Sequence, residues 1–164
     1  GNIIEKLLEK AKKIQNSITN EQEKIELEYI TDFKNKDKLH INEYLNSYSF
    51  MEIARKTSIK GIQRDDILIN INKVDVSKYG SQGQKRTVLL TLKLANFELL
   101  KEMKEQTPIL LLDDIMSELD SQRISFLLKY IENYQSVITT TDSSFVKNIK
   151  NIKIYKVLNG ILEN

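Results

Sequence analysis

Pro108-Ile109-Leu110-Leu111-Leu112-Asp113-Asp114 is the stretch that decides the fold class. A continuous apolar run opened by proline reads as a strand covered on both faces: proline is tolerated at a strand's first position, and doubly covered strands dispense with polar alternation. The sequence downstream agrees. Residues 121–133 set Ile124, Leu127, Leu128 and Ile131 at helical spacing, Ser136-Val137-Ile138-Thr139-Thr140 reads as a second strand, and Ile152, Ile154, Tyr155 and Val157 suggest a third. Strand, helix and strand in that order imply parallel pairing through a right-handed crossover. The class is α/β.

Upstream, Gln82 to Gln106 form the strongest helical pattern. Val88, Leu92, Ala95, Leu99 and Met103 line one stripe and Leu90, Leu94 and Phe97 another, as in a helix buried between layers. Before it, Ile67, Ile69 and Ile71 alternate, and Asn72-Lys73 turns the chain into Val74 and Val76, a hairpin. Residues 3–18 are helical by spacing, Ile25, Leu27 and Tyr29 alternate with Glu26 and Glu28 as a half-solvated strand, and residues 40–58 follow a charged loop as another helix. Residues 1–60 are thus expected to be a mostly helical arm lobe with one strand, and residues 61–164 the α/β body.

Composition bounds the function classes. A chain of 164 residues suits one domain or two small lobes, and 40% apolar with 29% charged residues predicts a globular fold. With 25 basic and 23 acidic residues the net charge is only +2, so global charge argues neither for nor against nucleic acid. The absence of cysteine excludes disulfides and thiolate metal sites and fits a reducing cytoplasm. The lone His40, in a polar stretch, cannot make a zinc site and reads as a surface residue. There is no signal peptide and no apolar run near the ~20 residues of a membrane span, so no membrane partner is expected. The chain begins with Gly1 rather than Met, which fits an internal start within a longer protein.

Two motifs carry chemistry. In open parallel sheets ligands bind beyond the carboxyl ends of the strands, where Asp113 and Asp114 fall. Adjacent carboxylates repel unless a cation or donor compensates, and magnesium accepts carboxylate and water oxygens in company with nucleotide phosphates. Asp113 and Asp114 therefore read either as metal-binding and water-orienting groups or as the cap of a strand and the start of a turn. The second motif, Ser81-Gln82-Gly83-Gln84, has the spacing of a helix capping box. Lys85 and Arg86 follow in a first turn that disfavours cations, while a small-residue loop at a helix start suits an anion, with Gly83 permitting close approach. Surface exposure accounts equally for the two cations. Ser117-Glu118-Leu119-Asp120 also has capping spacing. A basic run, Lys147, Lys150, Lys153 and Lys156, reads as a solvated face.

Taken together, Gly80-Ser81-Gln82-Gly83-Gln84-Lys85-Arg86-Thr87, Leu110 to Asp114, Ser117 to Asp120 and Ile138-Thr139-Thr140-Thr141 resemble the RecF family of bacterial DNA replication and repair ATPases. Gly61-Ile62-Gln63-Arg64-Asp65-Asp66 is similar to that family's Gly-Pro-His-Arg-Asp-Asp stretch, departing at Ile62 and Gln63, and the likeness extends to Ile25-Glu26-Leu27-Glu28-Tyr29-Ile30. The resemblance implies the C-terminal part of an ABC-type ATPase head over residues 61–164, with residues 1–60 as part of lobe II. It implies that Ser81, Gly83 and Gln84 form a signature loop reaching the γ-phosphate of ATP held by a second protomer. By the same resemblance Asp113 is the Walker B magnesium ligand, Asp114 stands for the catalytic glutamate, and Ser117 to Asp120 form the D-loop at a dimer interface, with Ser117 and Asp120 among the ATP-binding residues. Thr140 or Thr141 falls near the switch position where many ABC proteins carry histidine. Family members are ATP-dependent homodimers that clamp DNA, single- and double-stranded, at single-strand gaps in replication, recombination and the SOS response, with RecO and RecR as partners. ATP and Mg2+ are the implied cofactors, and a slow ATPase the implied activity. No Gly-x-x-x-x-Gly-Lys-[Ser/Thr] occurs in the sequence, so the chain by itself is expected to be inactive. Half of another ABC ATPase, such as a transporter's nucleotide-binding subunit, and a non-enzymatic interaction module are the other readings.

Overall fold

The computed structural model describes residues 2–34, 37–146 and 152–163. The chain forms two units, Gly1–Asn96 and Phe97–Asn164, whose boundary falls within a single long helix.

In the first unit, helix α1 (Asn2–Thr19) packs on strand β1 (Ile25–Ile30), which pairs antiparallel with β2 (Asp66–Ile71), itself paired with β3 (Val74–Asp75). The register sets Ile25 opposite Ile71 and Leu27 opposite Ile69, so the expected alternation holds at Ile25 and Leu27, which are buried, while Tyr29 is exposed. Asn72 and Lys73 both take positive φ, the conformation that a two-residue hairpin turn demands. Asn72 completes that turn through its side chain, which accepts from the Lys24 N–H at 2.9 Å and donates to the Gln22 carbonyl at 3.2 Å. The expected second strand stops at Asp75, short of Val76. The Asp75 carboxylate accepts from the Ser77 N–H at 2.9 Å and caps a short helix α3 (Val76–Tyr79), which removes Val76 from the ladder. Helix α2 (Lys38–Arg55) is capped by Asp37, ends at Lys56 in the left-handed region, and buries none of its residues fully.

Helix α4 (Gln82–Lys104) carries both apolar stripes, with Val88, Leu90, Leu94, Ala95, Phe97 and Leu99 buried. Met103, expected inward, is exposed, and Thr87 and Thr91 are fully buried instead. The Thr91 hydroxyl is satisfied by Gln15 of α1, whose Oε1 accepts it at 2.6 Å while its Nε2 donates to Glu23 at 3.0 Å. Among the described residues no buried side-chain polar atom lacks a partner.

In the second unit, β4 (Leu110–Asp113) and β5 (Ser136–Thr139) pair in parallel across helix α5 (Ser121–Ile131), as the strand–helix–strand order predicts. Ile124, Leu127 and Ile131 of α5 are buried, together with Leu110 and Leu112. The expectation that β4 is covered on both faces does not hold in this chain: Leu111 is 73% exposed, as is its partner Val137 at 55%. β5 is the strand paired with β4, and among the described residues nothing covers the Leu111 face. The Tyr130 and Tyr134 hydroxyls both donate to Glu98 Oε1, at 2.6 and 2.9 Å. Burial and the Glu98 carboxylate push the Tyr130 hydroxyl well above its ordinary range. The predicted third strand lies slightly later than expected, as β6 (Lys156–Leu158). It folds back onto β7 (Ile161–Glu163) as a separate antiparallel hairpin rather than extending the parallel sheet. Asn159 and Gly160 make that turn with positive φ, an Asn-Gly signal the strand assignment overlooked.

Candidate functional site

Ser81 and Gln84 form a reciprocal capping box at the start of α4. The Gln84 side chain accepts from the Ser81 N–H at 3.0 Å, and the Ser81 hydroxyl accepts from the Gln84 N–H at 3.2 Å. The first turn holds no acidic residue, and among the described residues neither Lys85 nor Arg86 is ion-paired through its side chain. Two nearby glycines differ in kind. A Cβ on Gly80 would meet the Val76 carbonyl oxygen at 2.6 Å, so packing excludes a side chain there. A Cβ on Gly83 would meet only the Ser81 hydroxyl, at 3.9 Å. Nothing within the unit requires Gly83, and alanine there would favour the helix by roughly 0.5–1 kcal/mol.

The carboxylate edge is built at the end of β4. Asp113 stands opposite Thr139 in the parallel ladder, and the Thr139 hydroxyl donates to Asp113 Oδ1. The same hydroxyl accepts from the Asp114 N–H at 3.0 Å. Asp114 adopts φ 44 and ψ 25, a left-handed conformation that aspartate tolerates better than most residues. It thereby turns the chain out of the strand into a 3-10 turn, Ile115–Glu118. Ser117 closes that turn, its hydroxyl lying 2.8 Å from the Asp114 carbonyl and 3.1 Å from the Asp114 carboxylate. Asp120 caps α5 by accepting from the Arg123 N–H at 2.9 Å and also pairs with the Arg123 guanidinium. The hydrogen bond from the Arg123 amide, aided by the guanidinium charge, holds the Asp120 carboxyl below the usual aspartate range.

The structure therefore joins Ser81 with Gln84 in one unit, and Asp113, Asp114 and Ser117 in the other, while Asp120 is engaged with Arg123. Both adjacent carboxylates are exposed, and no group of three or more acidic or histidine residues positioned to hold a metal occurs among the described residues. Two hard oxygen donors with solvent access suit a magnesium ion that keeps most of its ligands as water or phosphate. Thr139 belongs to the Thr139 to Thr141 stretch that stands in place of a switch histidine, but the sequence pointed to Thr140 or Thr141 for that position and gave Thr139 no role at the carboxylates. Thr140 instead accepts from the Asp142 N–H at 3.2 Å, and Thr141 is exposed. The signal that finds Thr139 is the parallel register, which is not visible until the strands are paired. Of the basic run, Lys147 and Lys150 lie outside the described residues, Lys153 stands over the Tyr155 ring, and Lys156 pairs with Glu163 at 3.7 Å. His40 is the expected surface residue, engaged with Asp37 at a helix cap. In the Gly61 to Asp66 segment, Gly61 has φ 136, and Asp65 accepts from the Tyr29 hydroxyl.

No protein-family model matches the chain. Individual proteins do. The DNA replication and repair protein RecF of Clostridium tetani is 40% identical over 96% of this chain and 45% of its own length. The RecF proteins of Clostridium novyi and Clostridium kluyveri are 38% and 42% identical over 96% and 90% of this chain, and 45% and 41% of their own lengths. Two solved structures, of the recombination mediator protein RecF-ATPrS and RecF-ATP in the RecFOR pathway, match with TM-scores of 0.77 and 0.78. They are 33% and 36% identical, over 99% of this chain and 44% and 45% of theirs. The chain thus spans a little under half the length of the proteins it matches. Among the described residues, no helix is long and apolar enough to cross a membrane.

Proposed function

Over the portion it spans the chain is a RecF-family sequence, matching the C-terminal part, and from that premise we propose that it supplies the signature, Walker B and D-loop elements of an ATP-gated DNA-repair clamp. Residues 61–164 belong to the ATPase head, and residues 1–60 to lobe II. Ser81, Gly83 and Gln84 approach the γ-phosphate of ATP bound by a second protomer, so that nucleotide holds a homodimer closed. Asp113 holds magnesium and Asp114 orients the attacking water. The metal, when bound, neutralises developing phosphate charge. Asp114 is one methylene shorter than glutamate, which makes slow turnover the expectation. Ser117 and Asp120 lie at the dimer interface. The assembled protein acts on DNA at single-strand gaps in the cytoplasm, with RecO and RecR, in recombination and the SOS response, and its DNA affinity falls with salt.

The observation that carries this reading is the edge of β4, where two exposed carboxylates and Ser117 are held in one hydrogen-bonded turn beyond a parallel strand. The open space at Gly83 supports it, because the fold does not require glycine there and close approach by a phosphate does. The test joins this chain to the remainder of a RecF-length polypeptide and measures sedimentation with and without ATP. ATP is expected to convert monomer to dimer, and Ser81→Arg to abolish the dimer while leaving ATP binding intact. ATP-dependent dimerisation of Ser81→Arg at the unsubstituted level would overturn the assignment. The 164-residue chain alone is expected to show no MgATP turnover, because it lacks a phosphate-gripping lysine loop.

A further inference from the structure

We propose that Thr139 is a positioning residue for the carboxylate edge, its one hydroxyl fixing both the orientation of the Asp113 carboxylate and the backbone of Asp114. The inference rests on the reading of Asp113 as a metal ligand and adds a residue to it. A threonine hydroxyl has one proton to donate and two lone pairs to accept with, so the two bonds are made at once without competing. Donation to Asp113 Oδ1 occupies one carboxylate oxygen and so limits rotation of the carboxylate that would serve as ligand. Acceptance from the Asp114 N–H satisfies an amide at a residue that has turned into the left-handed region. Threonine is also stiff about χ1, which makes it a better template than serine for two bonds of fixed direction. Partners that orient a metal's ligands typically change metal affinity by about 10- to 100-fold when removed.

Thr139 is exposed, and valine has the same shape and an equal or better preference for a strand, so Thr139→Val removes both bonds without disturbing the fold. The experiment titrates the 15N-labelled 164-residue chain with Mn2+ as a paramagnetic probe and follows line broadening in 15N–1H spectra. In the unsubstituted chain the resonances around Asp113 to Ser117 are expected to broaden first, and Asp113→Asn to remove that selectivity. Thr139→Val should require about ten times more Mn2+ for the same broadening and exchange its Asp114 amide about tenfold faster, at an unchanged urea midpoint. Thr139→Ser should recover most of both. Loss of selective broadening in Asp113→Asn, with Thr139→Val indistinguishable from the unsubstituted chain, overturns the role of Thr139 and leaves the metal reading standing. Broadening that ignores Asp113→Asn overturns the two together.

Discussion

The loop at Ser81 to Gln84 and the turn at Asp113 to Ser117 are secured in opposite ways. The first is closed by two hydrogen bonds between residues three apart, both inside one helical turn. The second depends on a hydroxyl 26 residues further along the chain, delivered by the pairing of β4 with β5. A locally closed loop keeps its shape wherever its helix forms. A turn held from a neighbouring strand has its shape only when the sheet is intact, so its chemistry is coupled to the sheet's stability.

The largest expected effect breaks the second region through its sheet. Leu112 is 3% exposed on the buried face of β4, and Leu112→Ala should cost about 2–5 kcal/mol, measured by urea unfolding. Protection of the Asp114 amide from hydrogen exchange should fall with it. The Gln84 amide, bonded only within its own turn, should keep its local protection; equal loss at both amides would erase the distinction between the regions.

Next in size is a contrast at the first region itself. Gly80→Ala drives a Cβ into the Val76 carbonyl and should destabilise by about 1–3 kcal/mol. Ser81→Ala, which removes one arm of the capping box, should cost about 1 kcal/mol and accelerate exchange of the Gln84 amide. Gly83→Ala should do the reverse, raising stability by about 0.5–1 kcal/mol while weakening ATP-dependent dimerisation in a RecF-length polypeptide. A Gly83→Ala variant that is both less stable and fully able to dimerise would assign the glycine to folding alone.

The same contrast explains what could be read from the residues. Short-range features were legible because they depend on a few neighbouring side chains: the box at Ser81 and Gln84, the Asn72-Lys73 turn, and the periodicities of α1, α4 and α5, whereas the capping spacing of Ser117 and Asp120 pointed to Ser117 and the cap of α5 is Asp120. The parallel pairing of β4 and β5 was legible from element order. What escaped was set by contact at a distance. Thr139 acquires its place from strand register, Gln15 and Thr91 satisfy each other across 76 residues, and Leu111 is exposed because an apolar run records a preference for burial and not the presence of a cover. Val76 escaped for a local reason, since the Asp75 cap outcompeted a β-branched residue's preference for the strand.

The smallest expected effect separates the two kinds of cap by pH. The Ser81 and Gln84 box contains no titratable side chain, so its contribution is expected to be flat across the acid range. The cap at Asp120 is a carboxylate held below its ordinary range by the Arg123 amide and guanidinium. Its folded-state proton affinity is lower than its unfolded one, so the stability it lends is fully present above the ordinary aspartate value of about 3.9. That stability is lost as pH falls through the depressed folded value, because the unfolded chain then takes up the proton first. Asp120→Asn keeps a capping oxygen and removes the charge. Its urea midpoint should therefore decline less steeply below about pH 4 than that of the unsubstituted chain, whereas Ser81→Ala should lower the midpoint by the same amount at every pH. Parallel acid profiles for Asp120→Asn and the unsubstituted chain would mean that the α5 cap, like the α4 box, works through geometry without help from charge.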